Sequence, residues 1–319
     1  MANLPPSASP THPQRLAALD VGSNSFNLLI AEADAHGWQP LLRTGTKVQL
    51  AAGLRDGQLD DDAIARGLAC LEGFGAQLKR FDVTSVRAVA TEALRCARNA
   101  PAFLGPARAA LGHPVELITG REEGRLVYRA VSKTLTGRNL VVDIGGASTE
   151  LIIGTGAHIE RMASVPIGCV NLLRHFPGGA LSPANLGAAV AASRAALQAA
   201  CRDWPLAQVP VVGCSGTVLA VAQVLLAHGW STTGIRPAGL AALRDNLLSQ
   251  HPTVASVRYE GLSESRRSVF VSGLAIVMGL VEALPADALQ VSAQALREGV
   301  LEDLWQRHLR HPARLGAAS

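Results

Sequence analysis

Asp20 heads the stretch DVGSNS and Asp143 heads DIGGASTE, 123 residues further on. In each case an apolar, β-type run ends at an aspartate, turns through glycine and small hydroxyl residues, and re-enters a second apolar run: LAALDVGSNSFNLLI and NLVVDIGGASTELIIG. That is the pattern of a hairpin, and the turn residues suit phosphate. Gly22, Gly145 and Gly146 tolerate φ > 0 and let backbone N–H groups approach an anion. Ser23, Ser25, Ser148 and Thr149 add hydroxyl donors, and Asn24 adds an amide. Either aspartate could bridge a hard cation to phosphate, because Mg²⁺ takes one or two carboxylates together with phosphate oxygens and water. One such turn is an ordinary connection. Two copies fit a pair of similar α/β halves closing on one ligand.

Further residues could join this chemistry. Ser215, Gly216 and Thr217 follow the apolar run VPVV and precede a helical stretch, and strand, glycine turn and helix N-terminus together make an anion site. Glu122 and Glu123 open the helix REEGRLVYRAV. Acidic residues there suit the helix dipole and a cap at Thr119; adjacent side chains diverge, so at most one faces a cleft, and spacing does not choose between them. Glu150, seven residues after Asp143, is expected to share phosphate and metal with it. Arg95 and Arg98 of TEALRCARN, three apart on one expected helix, offer guanidinium groups for phosphate, while Arg266 and Arg267 carry a weaker signal. The nine histidines show no metal-ligand spacing, and Ser215 has no evident His/Asp partner for a nucleophile.

The elements that must position these residues alternate as in an α/β protein. After the first hairpin a helix is expected over 60–81, then the strand SVRAVATEA, a helix from Arg95 to Leu111, the strand VELIT and a helix over 121–133. The second hairpin opens at Asn139 and leads to the strand ERMASVPIG, a helix over 185–201, the QVPVVGCSGTVLAVAQVL unit and a mostly helical remainder. A chain of 319 residues holds two domains of ordinary size; the boundary is expected near 134–138, and residues 1–14, with four prolines up to Arg15, as a tail without regular structure. Hydrophobic content of 48% and charged content of 17% describe a folded chain. No apolar run is pure enough to span a membrane, and VFVSGLAIVMGLVEALP reads as a buried helix. Five scattered cysteines without CxxC spacing argue for reduced thiols and a cytoplasmic setting. The net charge of +4 is compatible with an acidic ligand without naming one, and neither membrane nor nucleic acid is an expected partner.

Seven stretches, DVGSNSF, TEALRCARN, ITGREEGRLVY, VVDIGGASTELIIG, VPIGCVNL, VVGCSGTVLAV and ALREGVLEDL, occur in an order and spacing that resemble the exopolyphosphatase and guanosine pentaphosphate phosphohydrolase (Ppx/GppA) family. The resemblance runs from about Leu16 to Trp305. It implies an α/β fold of two RNase H-like domains of the actin-like ATPase superfamily facing a central cleft, here 15–135 and 136–319, with the last helix packing back on the first. It further implies Mg²⁺ as cofactor, a homodimer, and hydrolysis of the terminal phosphoanhydride of inorganic polyphosphate, with pppGpp as the alternative substrate. By the same resemblance Glu123 is the catalytic base, Asp143 and Glu150 serve metal and attacking water, and the small residues of both hairpins hold phosphate. Asp20 remains a possible metal ligand on the opposite wall. Three positions depart from the family pattern: Ala147 replaces a glycine, Gly124 an alanine and Ala293 an aspartate. The short stretch after ALREGVLEDL leads us to expect no helical domain of the HD phosphohydrolase type, and so a weaker grip on long polyphosphate. Two rival readings use the same turns: a sugar or acetate-type kinase, which would need an acceptor, and an alarmone-binding regulator, which would bind without hydrolysis.

Overall fold

A computed structural model describes residues 13–284 and 287–310. The first half contains β1 (Gln14–Val21), β2 (Ser25–Ala33), β3 (Trp38–Lys47), the short pair β4 (Leu54–Arg55) and β5 (Gln58–Leu59), α1 (Asp61–Arg80), β6 (Ser85–Ala90), α2 (Glu92–Cys96), α3 (Ala100–Leu111), β7 (Val115–Leu117) and α4 (Gly120–Ser132). The second contains β8 (Arg138–Ile144), β9 (Thr149–Thr155), β10 (His158–Val165), α5 (Pro183–Ala200), β11 (Val211–Cys214), α6 (Ser215–Ala227), α7 (Pro237–Gln250), α8 (Glu264–Ala283), β12 (Leu289–Val291) and α9 (Leu296–Arg310).

These strands form two five-stranded sheets of the same design, β3-β2-β1-β6-β7 and β10-β9-β8-β11-β12. In each, the first three strands are antiparallel neighbours and the last two join in parallel, which is the RNase H-like order occurring twice. The parallel joins require crossover helices, and those cover the sheet faces. Burial on both faces explains why β1 reads as one apolar run: Ala17 and Leu19 point into a core with α1 and α3, Leu16 and Ala18 into a core with α4 and α9. β8 divides likewise, Leu140 and Val142 against Val141. α1 begins where the Asp60 side chain accepts from the Ala63 N–H at 2.7 Å, with Asp61 and Asp62 in its first turn and Lys79 and Arg80 in its last.

The last helix, α9, inserts between the sheets. Its Leu296, Val300, Leu301, Leu304 and Trp305 share one core with Leu16, Ala18 and Leu29 of the first sheet, with α4, and with Val141 and Ile152 of the second. Gly299 permits the contact with α4, because a Cβ there would overlap the Leu126 carbonyl. The acids of α9 are buried and matched. Asp303 pairs with Arg87 at 2.9 Å and Arg125 at 2.8 Å, Glu302 with Lys133, and Glu298 with Arg43 at 2.8 Å.

Several sequence expectations need correction. β3 was not foreseen; it is an edge strand with mostly exposed or half-exposed residues and lacks the apolar alternation that marks a half-buried strand. Gln14 belongs to β1, paired with Ala33, and not to a tail; residues 1–12 of that expectation lie outside the described residues. The helix expected from Arg95 to Leu111 is two helices, because Ala97 is extended and Asn99 turns its side chain to Leu59, accepting from the Leu59 N–H and donating to its carbonyl, both at 2.9 Å. Arg95 and Arg98 therefore share no face, and Arg98 donates instead to the Asp56 carbonyl.

Candidate active site

Both duplicated stretches are antiparallel hairpins, and their registers coincide: Asp20 faces Asn27 as Asp143 faces Glu150. Residues directly opposite put their side chains on one face of a sheet, so each aspartate brings a polar partner. The two tips meet at Gly146, where an added Cβ would lie 2.8 Å from the Ser23 Cβ. None of Gly22, Gly145, Gly146 or Ala147 takes a positive φ, so close approach and not left-handed backbone explains the glycines there. Ala147, expected as a departure, carries no backbone strain. The second tip is held from below: the Gly145 N–H donates to Ser148 at 2.9 Å, and its carbonyl accepts from the Cys169 N–H at 3.0 Å.

One cleft receives most of the expected residues: Asp20, Gly22, Ser23, Asn24 and Ser25 from one wall, Asp143, Gly145, Gly146 and Ser148 from the other, with Glu123, Ser215 and Gly216. Four expected residues stand behind its surface. Arg95 lies under Glu123 and donates to its Oε2 at 2.8 Å. Glu150 is 1% exposed, its carboxylate accepting from Ser164 at 2.8 Å. The Thr149 hydroxyl donates to the Ile167 carbonyl at 2.6 Å, and Thr217 is buried. Of the two glutamates at the start of α4, Glu123 is buried facing the cleft, while Glu122 turns to Arg125 and Arg87.

Burial governs the electrostatics. It raises Asp20 to about 6 against the hydrogen bond from Asn27, and raises Asp143 to about 7, with the charge of Asp20 adding to the effect. Glu123 is raised by burial and by the charges of Asp143 and Asp20, while Arg95 pulls it down. Glu150 is raised by burial and then by Glu123 and Asp143. Four carboxyl groups thus crowd one site, with a single guanidinium hydrogen-bonded to Glu123.

The third turn also reaches this place. Ser215 begins α6 with φ 85°, a left-handed value for a non-glycine residue, and its hydroxyl donates to the Ile144 carbonyl at 2.9 Å beside the second tip. Gly216 leaves room for Arg266, whose guanidinium occupies the space a Cβ would need. Arg266, whose sequence signal is weak, lines the cleft together with Asn27 and Arg297, which the sequence expectations do not include. Asn27 could have been found by carrying the seven-residue spacing of Asp143 and Glu150 onto the first copy. Arg266 and Arg297 come from distant helices, α8 and α9, and their place in the cleft depends on the tertiary fold.

The donor set suits a divalent cation, since buried carboxyl groups outnumber nearby cations and the buried Asn24 Oδ1 has no hydrogen-bond partner among the described residues. The expected trio Asp20, Asp143 and Glu150 does not form a preformed cage: among the described residues no three His, Cys, Asp or Glu side chains converge on one point. Asp20 and Asp143 belong to different sheets, and Glu150 is engaged by Ser164. Mg²⁺ would be held by Asp143 or Asp20, with phosphate oxygens and water completing its shell.

Comparison with known proteins agrees with this architecture. The protein of Pseudoalteromonas atlantica named guanosine-5′-triphosphate,3′-diphosphate pyrophosphatase is 41% identical over 300 residues, 91% of this chain and 58% of that protein. Its namesake in Aliivibrio fischeri is 38% identical over 297 residues, 92% of this chain and 59% of that one. The chain thus spans somewhat under two thirds of the length of these curated relatives. An exopolyphosphatase from Cytophaga hutchinsonii shares the fold at TM-score 0.82 and 24% identity, over 95% of this chain and 100% of that one. The Aquifex aeolicus Ppx-GppA enzyme aligns at TM-score 0.72 and 30% identity, over 91% and 99%. Residues 29–308 match the Ppx/GppA phosphatase family, and the chain belongs to it.

Proposed function

We propose that the chain hydrolyses the terminal 5′ phosphoanhydride of pppGpp, giving ppGpp and inorganic phosphate. The observation that carries the chemistry is Glu123, buried, held by Arg95 and facing a cleft whose two walls are phosphate-type turns. The relatives at 38% and 41% identity, named for guanosine-5′-triphosphate,3′-diphosphate, favour pppGpp over the polyphosphate expected first from the sequence.

In this reading the Glu123 carboxylate accepts a proton from water as its oxygen attacks the terminal phosphorus, and the bond to the bridging oxygen breaks so that ppGpp departs. A base of raised proton affinity suits the step, because general-base efficiency is best when the pKa lies near the working pH. Arg95 fixes the carboxylate through one N–H and spends another on the Ile118 carbonyl at 2.9 Å, so the pair is anchored to the backbone before α4. Hydroxyl and backbone donors of Ser23, Gly146 and Ser148 hold the phosphate, Gly145 shapes the turn that presents them, and Arg266 and Arg297 meet its charge. Bound Mg²⁺ would supply neutralisation of charge on the transferred group.

Phosphate release measured side by side from pppGpp, short and long polyphosphate and ATP, with Mg²⁺ and without an acceptor, tests the proposal. The expected result is fastest release from pppGpp. Faster release from polyphosphate would restore the first expectation, and tight pppGpp binding without release would make the chain a regulator.

A further inference from the structure

On the far side of α4 from the cleft lies a groove of about 630 Å³, within the size range of small-molecule sites. Arg121 and Arg125 of α4 line it, with Ile159 to Met162 of β10 opposite and Trp204, from the turn after α5, at one end. Its charges are unevenly matched. Glu122 is neutralised by Arg125 at 2.7 Å, and Glu160 by Arg138 at 2.6 Å. Arg161 donates only to the Asp203 carbonyl, at 2.8 Å, and Arg121 makes no ion pair or side-chain hydrogen bond among the described residues. Both are exposed. The groove therefore presents two guanidinium groups without acidic partners beside a half-buried indole and the apolar side chains of Ile159 and Met162.

We propose that this groove is a second binding site, separate from the cleft, for a nucleotide whose phosphates meet Arg121 and Arg161 and whose base lies against Trp204. Guanidinium forks match phosphate oxygens in pairs, and a planar base stacks on an indole whatever its identity. Neither feature is needed for hydrolysis in the cleft, so the inference stands independently of the proposed substrate. The position has a mechanical meaning: Glu122 lines the groove and Glu123 the cleft, so one turn of α4 borders both.

Polarisation of a fluorescent ADP analogue, displaced by unlabelled ADP, tests the site on the full chain. The double variant Arg121→Ala/Arg161→Ala should weaken ADP binding at least tenfold, and Trp204→Leu, which keeps the apolar packing, at least threefold. Arg266→Ala, in the cleft, should leave this binding component in place. Tripolyphosphate, which has no base, should displace at least tenfold more weakly than ADP. Undetectable ADP binding, equal affinity in the double variant, loss only in Arg266→Ala, or equal displacement by tripolyphosphate would each overturn the proposal.

Discussion

Asp20 and Asp143 reach the cleft from different sheets, and burial raises both, to about 6 and about 7. A carboxyl group raised on folding favours the protonated folded state, so its stabilising effect is full below the unfolded value near 3.8 and is lost as pH rises through the folded value. His113, His251 and His308 are lowered by burial and act in the opposite sense, but below about 6.5. Between pH 6.5 and 8.5 the carboxyl groups therefore dominate, and the metal-free melting temperature should fall across that window in a thermal scan. Holding Asp143 ionised costs on the order of 4 kcal/mol, so Asp143→Asn should raise the melting temperature at pH 8.5 by roughly 3 °C or more while abolishing turnover. Added Mg²⁺ should recover part of the loss at pH 8.5 in the unmodified protein, by binding the folded state. Glu123→Gln should lower kcat by about 10² to 10⁴-fold with little change in substrate Kd, as single-turnover and equilibrium-binding measurements would show. Arg95→Ala removes the group that pulls Glu123 down, so the acidic limb of the kcat/KM profile should move to higher pH; an unmoved limb would dissociate Arg95 from the base.

Among the elements, the hairpins were legible because their function and their fold leave the same mark: a turn rich in small polar residues between two runs buried on both faces. The division of labour between Glu122 and Glu123 was not legible in helical geometry, since it depends on which flank of α4 meets Arg95 and which meets Arg87. The break between α2 and α3 escaped for a related reason. Pro101, at the start of α3, is a local mark against one continuous helix because it lacks the N–H that would bond back into α2, but the turn itself is held by Asn99, which satisfies Leu59 from 40 residues away. Contacts of that range also placed Arg266 and Arg297, whose local sequences are those of ordinary helix arginines. The crossing of α4 and α9 depends on Gly299, so Gly299→Ala should destabilise the protein by about 1–3 kcal/mol through overpacking against Leu126. Chemical denaturation measures this directly, and a neutral result would mean that the helices can separate at little cost.

Across the whole molecule, the two sheets are joined by a core to which both contribute, and the acids of α9 tie that helix to the first half. Asp303 is 5% exposed and Arg87 6%, so Asp303→Ala would leave Arg87 with its buried charge uncompensated on that side. A loss of about 3–5 kcal/mol is expected, seen as an earlier denaturation midpoint; a loss below 1 kcal/mol would show that Glu116 and Glu122 suffice for Arg87. The insertion of α9 between the sheets also sets a condition on biosynthesis. Chains emerge from the ribosome N-terminus first, and Leu16, Ala18 and Leu29 lie on β1 and β2, the first of the described elements to be made, while the helix that covers them is the last of those elements. The first sheet must therefore wait, one apolar face uncovered, until α9 has been made. Its completion depends on α9, and that waiting face is where a chaperone or a neighbouring nascent chain would meet this protein first.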